Sequence, residues 1–188
     1  MTTTYYAAHL DVNGRDCLVV GGGKVALEKA EGLLAAGARV TLVAPTIVRA
    51  LLDLDVRCEY GRYRASDLDG RFLVIAATAD PDVNRRVSAD AEARGLLCNV
   101  ADVPELCNFI LPAIHRAGPI TIAVSTSGAS PALAKRLRDQ FAAQVGDEHV
   151  ELAERLRELR PWVKTTYPTY EQRRDVFERL VEEALGAV

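Results

Sequence analysis

A short apolar segment that runs directly into three consecutive glycines constrains this chain more than any other feature. Residues 17–20 are Cys-Leu-Val-Val, residues 21–23 are glycines, and a helical pattern begins at Lys24. This order predicts a strand, a tight turn and the N-terminus of a helix. Glycines at such a turn let backbone N–H groups approach a phosphate closely, because no Cβ intervenes.

The same segment has the spacing of a dinucleotide-binding turn. Gly21, Gly23 and Ala26 occupy the small-residue positions of the G-x-G-x-x-G/A pattern. The alternative is a tight strand–helix turn that binds no ligand. The predicted cofactor contacts at this turn are Gly21, Gly22, Gly23, Lys24 and Val25.

Strand and helix patterns alternate along the first two-thirds of the chain. The predicted strands are residues 16–20, 39–43, 56–60, 71–77, 96–100 and 108–114, and the predicted helices are residues 24–36 and 82–94. The alternation predicts an α/β fold with a Rossmann-like parallel sheet and helices on both faces. We assign residues 1–113 to this NAD-binding domain.

The pattern changes after residue 113. Gly118 and Pro119 predict a turn before a strand at residues 120–125, while Ser130 and Pro131 predict the start of a helix. We assign residues 114–146 to a small α+β region and residues 147–188 to a C-terminal helical region. Interruptions of the helical pattern are predicted near Pro161 and Pro168.

Charge and apolar patterning exclude some classes of partner. The formal net charge of −3 gives no electrostatic reason to expect nucleic acid or an anionic membrane. No apolar run approaches the roughly 20 residues of a membrane span, and the N-terminal residues lack the pattern of a signal peptide. We therefore expect a cytoplasmic protein. The four cysteines form no C-x-x-C pair, which favours reduced thiols over zinc ligands or disulfides.

The second strand ends without the acid that commonly meets the ribose of NAD. No Asp or Glu occurs between Arg39 and Asp53, so Thr46 or a backbone group would meet the ribose. Arg49 would suit a 2′-phosphate, although a solvated helix charge is the favoured interpretation. The residues themselves therefore do not choose between NAD and NADP.

Polar side chains follow the fourth and fifth predicted strands. Thr78 and Asp80 would line the cofactor crevice, cap the next helix, or do both. Asn99 and Asp102 end the fifth strand, and Asp102 could accept the proton that accompanies hydride loss. Asp102 and Glu105 also fit a capping box, which is the structural alternative.

The second half of the chain adds a hydroxyl-rich loop, a basic helix and one histidine. The loop could bind a substrate carboxylate or cap the following helix. The helix could face an acidic ligand, although a solvated face is the default. A lone histidine after an apolar strand is more often structural. The candidates are Ser125, Thr126, Ser127 and Gly128 in the loop, Lys135, Arg136 and Arg138 on the helix, and His115.

Three stretches of the sequence together resemble the precorrin-2 dehydrogenase family, the N-terminal module of siroheme synthases. They are VVGGGKVALEKAEGLLAAGARVTLVAP, FLVIAATADPDVNRRVSADAEARGLLCNVAD and NFILPAIHRAGPITIAVSTSGASPALAKRLR. The resemblance covers about residues 10–141. Its N-V-x-D, F-I-x-P and A-V-S-T-S-G-x-S-P motifs are more specific than the glycine turn.

The resemblance implies a defined reaction. The family oxidises precorrin-2, a tetrapyrrole rich in carboxylates, to sirohydrochlorin, with NAD as the hydride acceptor. It implies that Asp102 is catalytic, that Pro45 and Thr46 contact the cofactor, and that the 125–128 loop lies on the substrate side. Some members also insert Fe²⁺ or Co²⁺ into the product. The resemblance leaves open that second activity and the end product, siroheme or cobalamin.

The resemblance also implies a homodimer that forms through residues 114–146. The basic helix would then meet the anionic tetrapyrrole. A non-catalytic NAD-sensing Rossmann module is the alternative function. A sensor has no need for Asn99 and Asp102 beside a hydroxyl-rich loop and a basic helix, so we expect an NAD-dependent oxidoreductase.

Overall fold

The computed structural model describes residues 5–186 and divides into two units, the first ending at Leu111 and the second beginning at Pro112. The strands are β1 (Asp16–Val20), β2 (Arg39–Ala44), β3 (Arg57–Tyr60), β4 (Leu73–Ala76), β5 (Leu97–Val100), β6 (Ala113–Ala117) and β7 (Ile120–Val124). The α-helices are α1 (Lys24–Leu34), α2 (Arg49–Leu52), α3 (Pro81–Glu92), α4 (Pro131–Ala142), α5 (Asp147–Thr166) and α6 (Tyr170–Leu185). The outer bounds of our predicted domains, residues 1 and 188, lie outside the described residues, and the division into three regions stays a prediction.

The five strands of the first unit form one parallel sheet in the order β3-β2-β1-β4-β5. The chain therefore winds outward from β1 in both directions, and a crevice forms at the carboxyl ends of β1 and β4. This topology confirms the predicted Rossmann-like sheet. The crevice is where open α/β sheets bind their ligands.

Alternate residues of β1 enter two different apolar cores, because successive side chains of a strand point to opposite faces. Cys17 and Val19 belong to the core that α1 covers, whereas Leu18 and Val20 belong to the core that α3 covers. All four are almost completely buried. Burial on both faces explains why the strand reads as a continuous apolar run.

A glycine in the left-handed region ends α1. Gly37 has a φ of +80°, its N–H donates to the carbonyl of Leu34 at 2.9 Å, and the N–H of Ala38 donates to Leu33 at 3.1 Å. This paired arrangement is a Schellman motif, which ends a helix by satisfying its last carbonyls. The chain then enters β2 directly.

The cysteines of the described chain are all free thiols. Burial is the main cause that raises the pKa of Cys17 to about 11 and the pKa of Cys98 to about 12. Both residues therefore pack as small apolar side chains in the neutral form.

The second unit begins with an antiparallel hairpin of β6 and β7, which turns at Gly118 and Pro119. Helix α4 packs on both strands, and α5 packs on α6. The predicted start of α4 is confirmed, because Pro131 occupies its first turn and the hydroxyl of Ser130 accepts the N–H of Leu133 at 3.2 Å.

One predicted helix break is wrong. Helix α5 runs through Pro161 without interruption, whereas Pro168 does separate α5 from α6, as expected. Proline removes one backbone donor, and at this exposed position the carbonyl that loses its partner can bind water instead. The helix therefore tolerates the missing hydrogen bond and stays continuous.

The strand predicted at residues 108–114 is also wrong, because only its last two residues are extended in β6. Asn108 makes the contacts that a neighbouring strand would make. Its side chain accepts the N–H of Cys98 at 2.7 Å and donates to the carbonyl of Leu96 at 2.7 Å. Backbone hydrogen-bonding groups at the edge of β5 are therefore paired with a side chain, and Pro112 has no N–H that could bond to a further strand.

We expect Asn108→Ala to lower the free energy of unfolding by about 1–3 kcal/mol, because two hydrogen bonds to the edge of β5 are lost. Chemical denaturation measures the change. Glu105→Ala, an exposed residue of the same segment, serves as the matched control and should unfold like the parent chain. Equal stability of Asn108→Ala and the control would contradict the assigned role.

Candidate functional site

The first two glycines of the turn are required by the close approach of three chain segments. Gly21 has a φ of +137°, and a Cβ there would overlap the carbonyl oxygen of Ala77. A Cβ on Gly22 would overlap the carbonyl oxygen of Thr46. The segments that follow β2 and β4 are thereby held directly against the end of β1.

Packing within the protein does not require a glycine at position 23. Gly23 precedes α1 with a φ of −98°, and a Cβ there would meet no protein atom within 4 Å. Among the described residues no side chain caps this helix, and its first turn carries no acid. Unpaired N–H groups at the positive end of α1 therefore face open space, which is the arrangement that binds a phosphate.

A cleft of about 860 Å³ lies at the carboxyl edge of the sheet, in the volume range of ligand sites. It is lined by the glycine turn and by the segments that follow the other four strands of the sheet. It brings together every predicted cofactor contact and the predicted catalytic residue, namely Gly21, Gly22, Gly23, Lys24, Val25, Pro45, Thr46, Thr78 and Asp102.

The side chains that follow β4 hold the start of α3. The carboxylate of Asp80 accepts the N–H groups of Asp82 at 2.9 Å and Val83 at 3.3 Å, which is the predicted cap. The hydroxyl of Thr78 accepts the N–H of Asp80 at 3.1 Å and lies 2.8 Å from the amide oxygen of Asn84. Thr78 lines the cleft, but its hydroxyl is already engaged, so its role as a cofactor contact stays a prediction.

Asp102 differs from these residues because its carboxylate has no hydrogen bond or ion pair within residues 5–186. The capping-box alternative is wrong, since Val103 precedes the short helix Pro104–Leu106 and no side chain caps it. Asp102 also has a φ of +61°, a conformation that costs a non-glycine residue about 1–3 kcal/mol. A free carboxylate in a strained position on a cleft is a functional candidate.

Asn99 is placed differently from its predicted role. It is 7% exposed, and its amide nitrogen donates to the carbonyl of Phe109 at 3.0 Å. The thiol of Cys107 lies 3.6 Å from the same nitrogen. These contacts tie β5 to the segment that leaves it, and Asn99 is not among the lining residues of the cleft. Substrate binding by Asn99 stays a prediction.

Sequence reasoning missed Arg62, Tyr63 and Arg86, which also line the cleft. The Tyr63 hydroxyl donates to Asp90 at 3.0 Å, and burial together with this carboxylate raises the tyrosine pKa well above its ordinary value. The guanidinium of Arg86 lies 5.7 Å from the centre of the Tyr63 ring. The available signal was position, because Arg62 and Tyr63 follow β3 at the carboxyl edge of the sheet.

Arg49 behaves as the favoured interpretation predicted. Its guanidinium lies 3.7 Å from the carboxylate of Asp53, one helical turn away, and both side chains are exposed. It is not a lining residue of the cleft. Arg49 is therefore a solvated helix charge.

The hydroxyl-rich loop of the second unit is organised by its own hydrogen bonds. The hydroxyl of Thr126 accepts the N–H of Ser130 at 3.0 Å, and the hydroxyl of Ser125 accepts the N–H of Ser127 at 3.1 Å. Ser127 and Gly128 both have positive φ, +50° and +85°. The cap of α4 is Ser130, which follows this loop, and the predicted contact of residues 125–128 with a substrate stays a prediction.

The other candidates of the second unit also keep their predicted roles untested. Lys135 and Arg136 are exposed on α4, without an ion-pair partner among residues 5–186. Arg138 lies 2.6 Å from the carboxylate of its neighbour Asp139. His115 is half-buried in β6, opposite Ile122.

Within the described part of the chain, no helix is long and apolar enough to cross a membrane. In the same residues, no three side chains of His, Cys, Asp or Glu converge as metal ligands.

Comparisons with known proteins agree with this architecture. The profile of the family described as "Putative NAD(P)-binding" matches residues 8–113, which is more than half of the chain. The profile described as "Sirohaem biosynthesis protein central" matches residues 117–144. The two matches meet close to the boundary between the two units at Leu111 and Pro112.

Similar full sequences and a similar structure are known. The siroheme synthase of Chromobacterium violaceum is 41% identical over 186 residues, covering 97% of this chain and 40% of that protein. The siroheme synthase of Ectopseudomonas mendocina is 43% identical, covering 94% of this chain and 39% of that protein. This chain thus spans about 40% of the length of these relatives. The structure of SirC, a precorrin-2 dehydrogenase, has a TM-score of 0.80 at 28% identity and covers 96% of this chain and 92% of that chain.

Two glycine substitutions separate folding from binding. Gly23→Ala should change the free energy of unfolding by about 1 kcal/mol or less, because its methyl group meets no protein atom. It should weaken NAD⁺ binding tenfold or more, since the methyl group occupies the open space before α1. Gly22→Ala should instead destabilise the fold, because the Thr46 carbonyl must move.

Denaturant unfolding and calorimetric titration with NAD⁺ measure the two effects. A stable Gly23→Ala variant with the affinity of the parent chain would show that no phosphate lies at this turn.

Proposed function

The chain belongs to the family described as "Putative NAD(P)-binding", and from that premise we propose that it oxidises precorrin-2 to sirohydrochlorin with NAD⁺ as the acceptor. The observation that carries the proposal is the carboxylate of Asp102, which has no partner within residues 5–186 and lies on the same cleft as the open glycine turn. The similarity to siroheme synthases and to SirC supports the choice of substrate.

The cleft residues fit a dinucleotide. Gly23 leaves room for a phosphate before α1, Lys24 adds a cation there, and the chain beyond β2 lines the ribose side of the cleft. When bound, NAD⁺ supplies the hydride acceptor. Precorrin-2 gives up one hydride and one proton, so the products are sirohydrochlorin, NADH and H⁺.

Asp102 takes the proton in this proposal. Its carboxylate makes no contact with the described protein that would compete with a substrate. The residue follows β5, whereas the phosphate turn follows β1, so proton acceptance and cofactor anchoring come from different strands. The positive φ holds Asp102 in a conformation that the local chain would not favour by itself.

The substrate carboxylates require cations and hydrogen-bond donors. We assign them to the second unit, where Lys135 and Arg136 are exposed and have no ion-pair partner within residues 5–186. The 125–128 loop offers the Ser127 hydroxyl and backbone N–H groups.

The proposal covers oxidation alone. Metal insertion, with Fe²⁺ or Co²⁺ as a substrate, is tested separately by comparing metallation of sirohydrochlorin with and without the protein.

We expect Asp102→Asn to lower the turnover of precorrin-2 about 100-fold or more, because an amide of the same shape does not accept the proton. Its NAD⁺ affinity should stay within about threefold of the parent chain, since the glycine turn is intact. Anaerobic absorbance of the tetrapyrrole and of NADH measures turnover, and calorimetry measures affinity.

Glu105→Gln is the matched control, because it removes an exposed acid of the same segment that does not line the cleft. Parent-like turnover of Asp102→Asn would refute the catalytic role. If the parent chain binds NAD⁺ but leaves the precorrin-2 spectrum unchanged, the NAD-sensing alternative is favoured.

We also propose that the chain forms a homodimer through its second unit. Of the buried apolar residues in the described chain, only Ala134, Val163 and Val176 belong to that unit. Leu133 and Phe141 lie on α4 two turns apart, and each is 48% exposed. Apolar area of this kind is commonly covered by a second copy in symmetric oligomers.

The double substitution Leu133→Lys and Phe141→Lys should halve the molecular mass in solution, because two charges enter the apolar face of α4. Light scattering coupled to size-exclusion chromatography measures the mass. Gln140→Lys, which adds a charge at an exposed polar position of the same helix, should leave it unchanged. A parent chain that elutes as a monomer would disprove the dimer.

A further inference from the structure

Arg62 lines the end of the cleft that is formed by the segments following β2 and β3. The last hydrogen bond between these strands joins the N–H of Gly61 to the carbonyl of Ala44 at 3.1 Å. Arg62 follows immediately, Pro45 and Thr46 follow β2, and all three line the cleft. Arg62 thus follows the strand that neighbours β2, at whose carboxyl end a Rossmann sheet meets the adenosine ribose.

Arg62 is exposed and has no hydrogen bond, ion pair or ring contact within residues 5–186. The three acids between the end of β2 and the end of β3, Asp53, Asp55 and Glu59, do not line the cleft. Glu59 lies 3.1 Å from Arg57, and Asp53 lies 3.7 Å from Arg49. The guanidinium of Arg62 is therefore free to bind an anion.

The acids that line the cleft follow strands on the other side of β1 in the strand order. Asp80 follows β4 and Asp102 follows β5, whereas Arg62 follows β3, and β1 separates the two sides in the strand order. A carboxylate at the ribose would bond the 2′-hydroxyl and repel a 2′-phosphate. The described lining of this end holds no carboxylate and one unpaired guanidinium.

We propose that Arg62 binds the 2′-phosphate of NADP⁺ and that the chain accepts NADP⁺ as well as NAD⁺. The planar guanidinium can form two parallel hydrogen bonds with one phosphate group. The inference rests on the proposed function only in requiring a dinucleotide in this cleft, with its adenosine ribose beside β2. It assigns cofactor selectivity to a residue after the third strand.

The test measures the dissociation constants of NAD⁺ and NADP⁺ by calorimetry for the parent chain and for Arg62→Ala. The ratio of the NADP⁺ constant to the NAD⁺ constant should rise about tenfold or more in Arg62→Ala, as expected for a lost charged hydrogen bond. Arg49→Ala, which removes a solvated arginine outside the cleft, should leave the ratio unchanged. Arg62→Lys keeps the charge without the paired geometry and should give an intermediate ratio.

A second measurement isolates the phosphate from the rest of the cofactor. Adenosine 2′,5′-bisphosphate should bind more tightly than adenosine 5′-monophosphate to the parent chain, and added salt should reduce the difference. The advantage should disappear in Arg62→Ala. Thermal unfolding of each variant checks that the fold is intact.

The outcomes separate this inference from the proposed function. A parent chain that binds NAD⁺ but not NADP⁺, or an unchanged ratio in Arg62→Ala, would overturn the inference and leave the oxidation of precorrin-2 untouched. A parent chain that binds neither dinucleotide would overturn both.

Discussion

The approach of two carbonyl oxygens to the end of β1 is the constraint on which the site depends. Gly21 faces the carbonyl of Ala77, and Gly22 faces the carbonyl of Thr46, with no room for a side chain at either position. The segments beyond β2 and β4 therefore converge on the start of α1. The cleft and the position of its glycine turn both follow from this packing of backbone on backbone.

The polar residues at the carboxyl edge divide according to whether the protein already uses them. Thr78 and Asp80 hold the start of α3, and Asn99 ties β5 to the next segment. Asp102 and Arg62 have no partner among residues 5–186. These two residues lie on opposite sides of β1 in the strand order, so they reach the cleft from opposite ends of the sheet.

The sequence could predict what depends on local pattern. Apolar runs identify buried strands, and Gly37 and Ser130 mark helix ends through their own backbone or side-chain chemistry. Arg62 could not be predicted because its position on the cleft depends on which strands are neighbours in the sheet. The absence of a strand at residues 108–112 could not be predicted, because the Asn108 side chain takes the place of a strand partner and this leaves no periodic pattern in the sequence. Pro161 was misjudged because exposure lets the helix tolerate the missing donor.

The buried thiols give the molecule internal reporters of its own opening. Cys17 lies in the central strand β1 and Cys98 in the edge strand β5, at 0% and 2% exposure, and burial keeps both protonated at neutral pH. An alkylating reagent needs an exposed thiolate, so it reacts only in molecules whose sheet has transiently separated. The labelling rates of Cys98 and Cys17 would therefore compare the opening of the edge of the sheet with the opening of its centre, with no engineered cysteine.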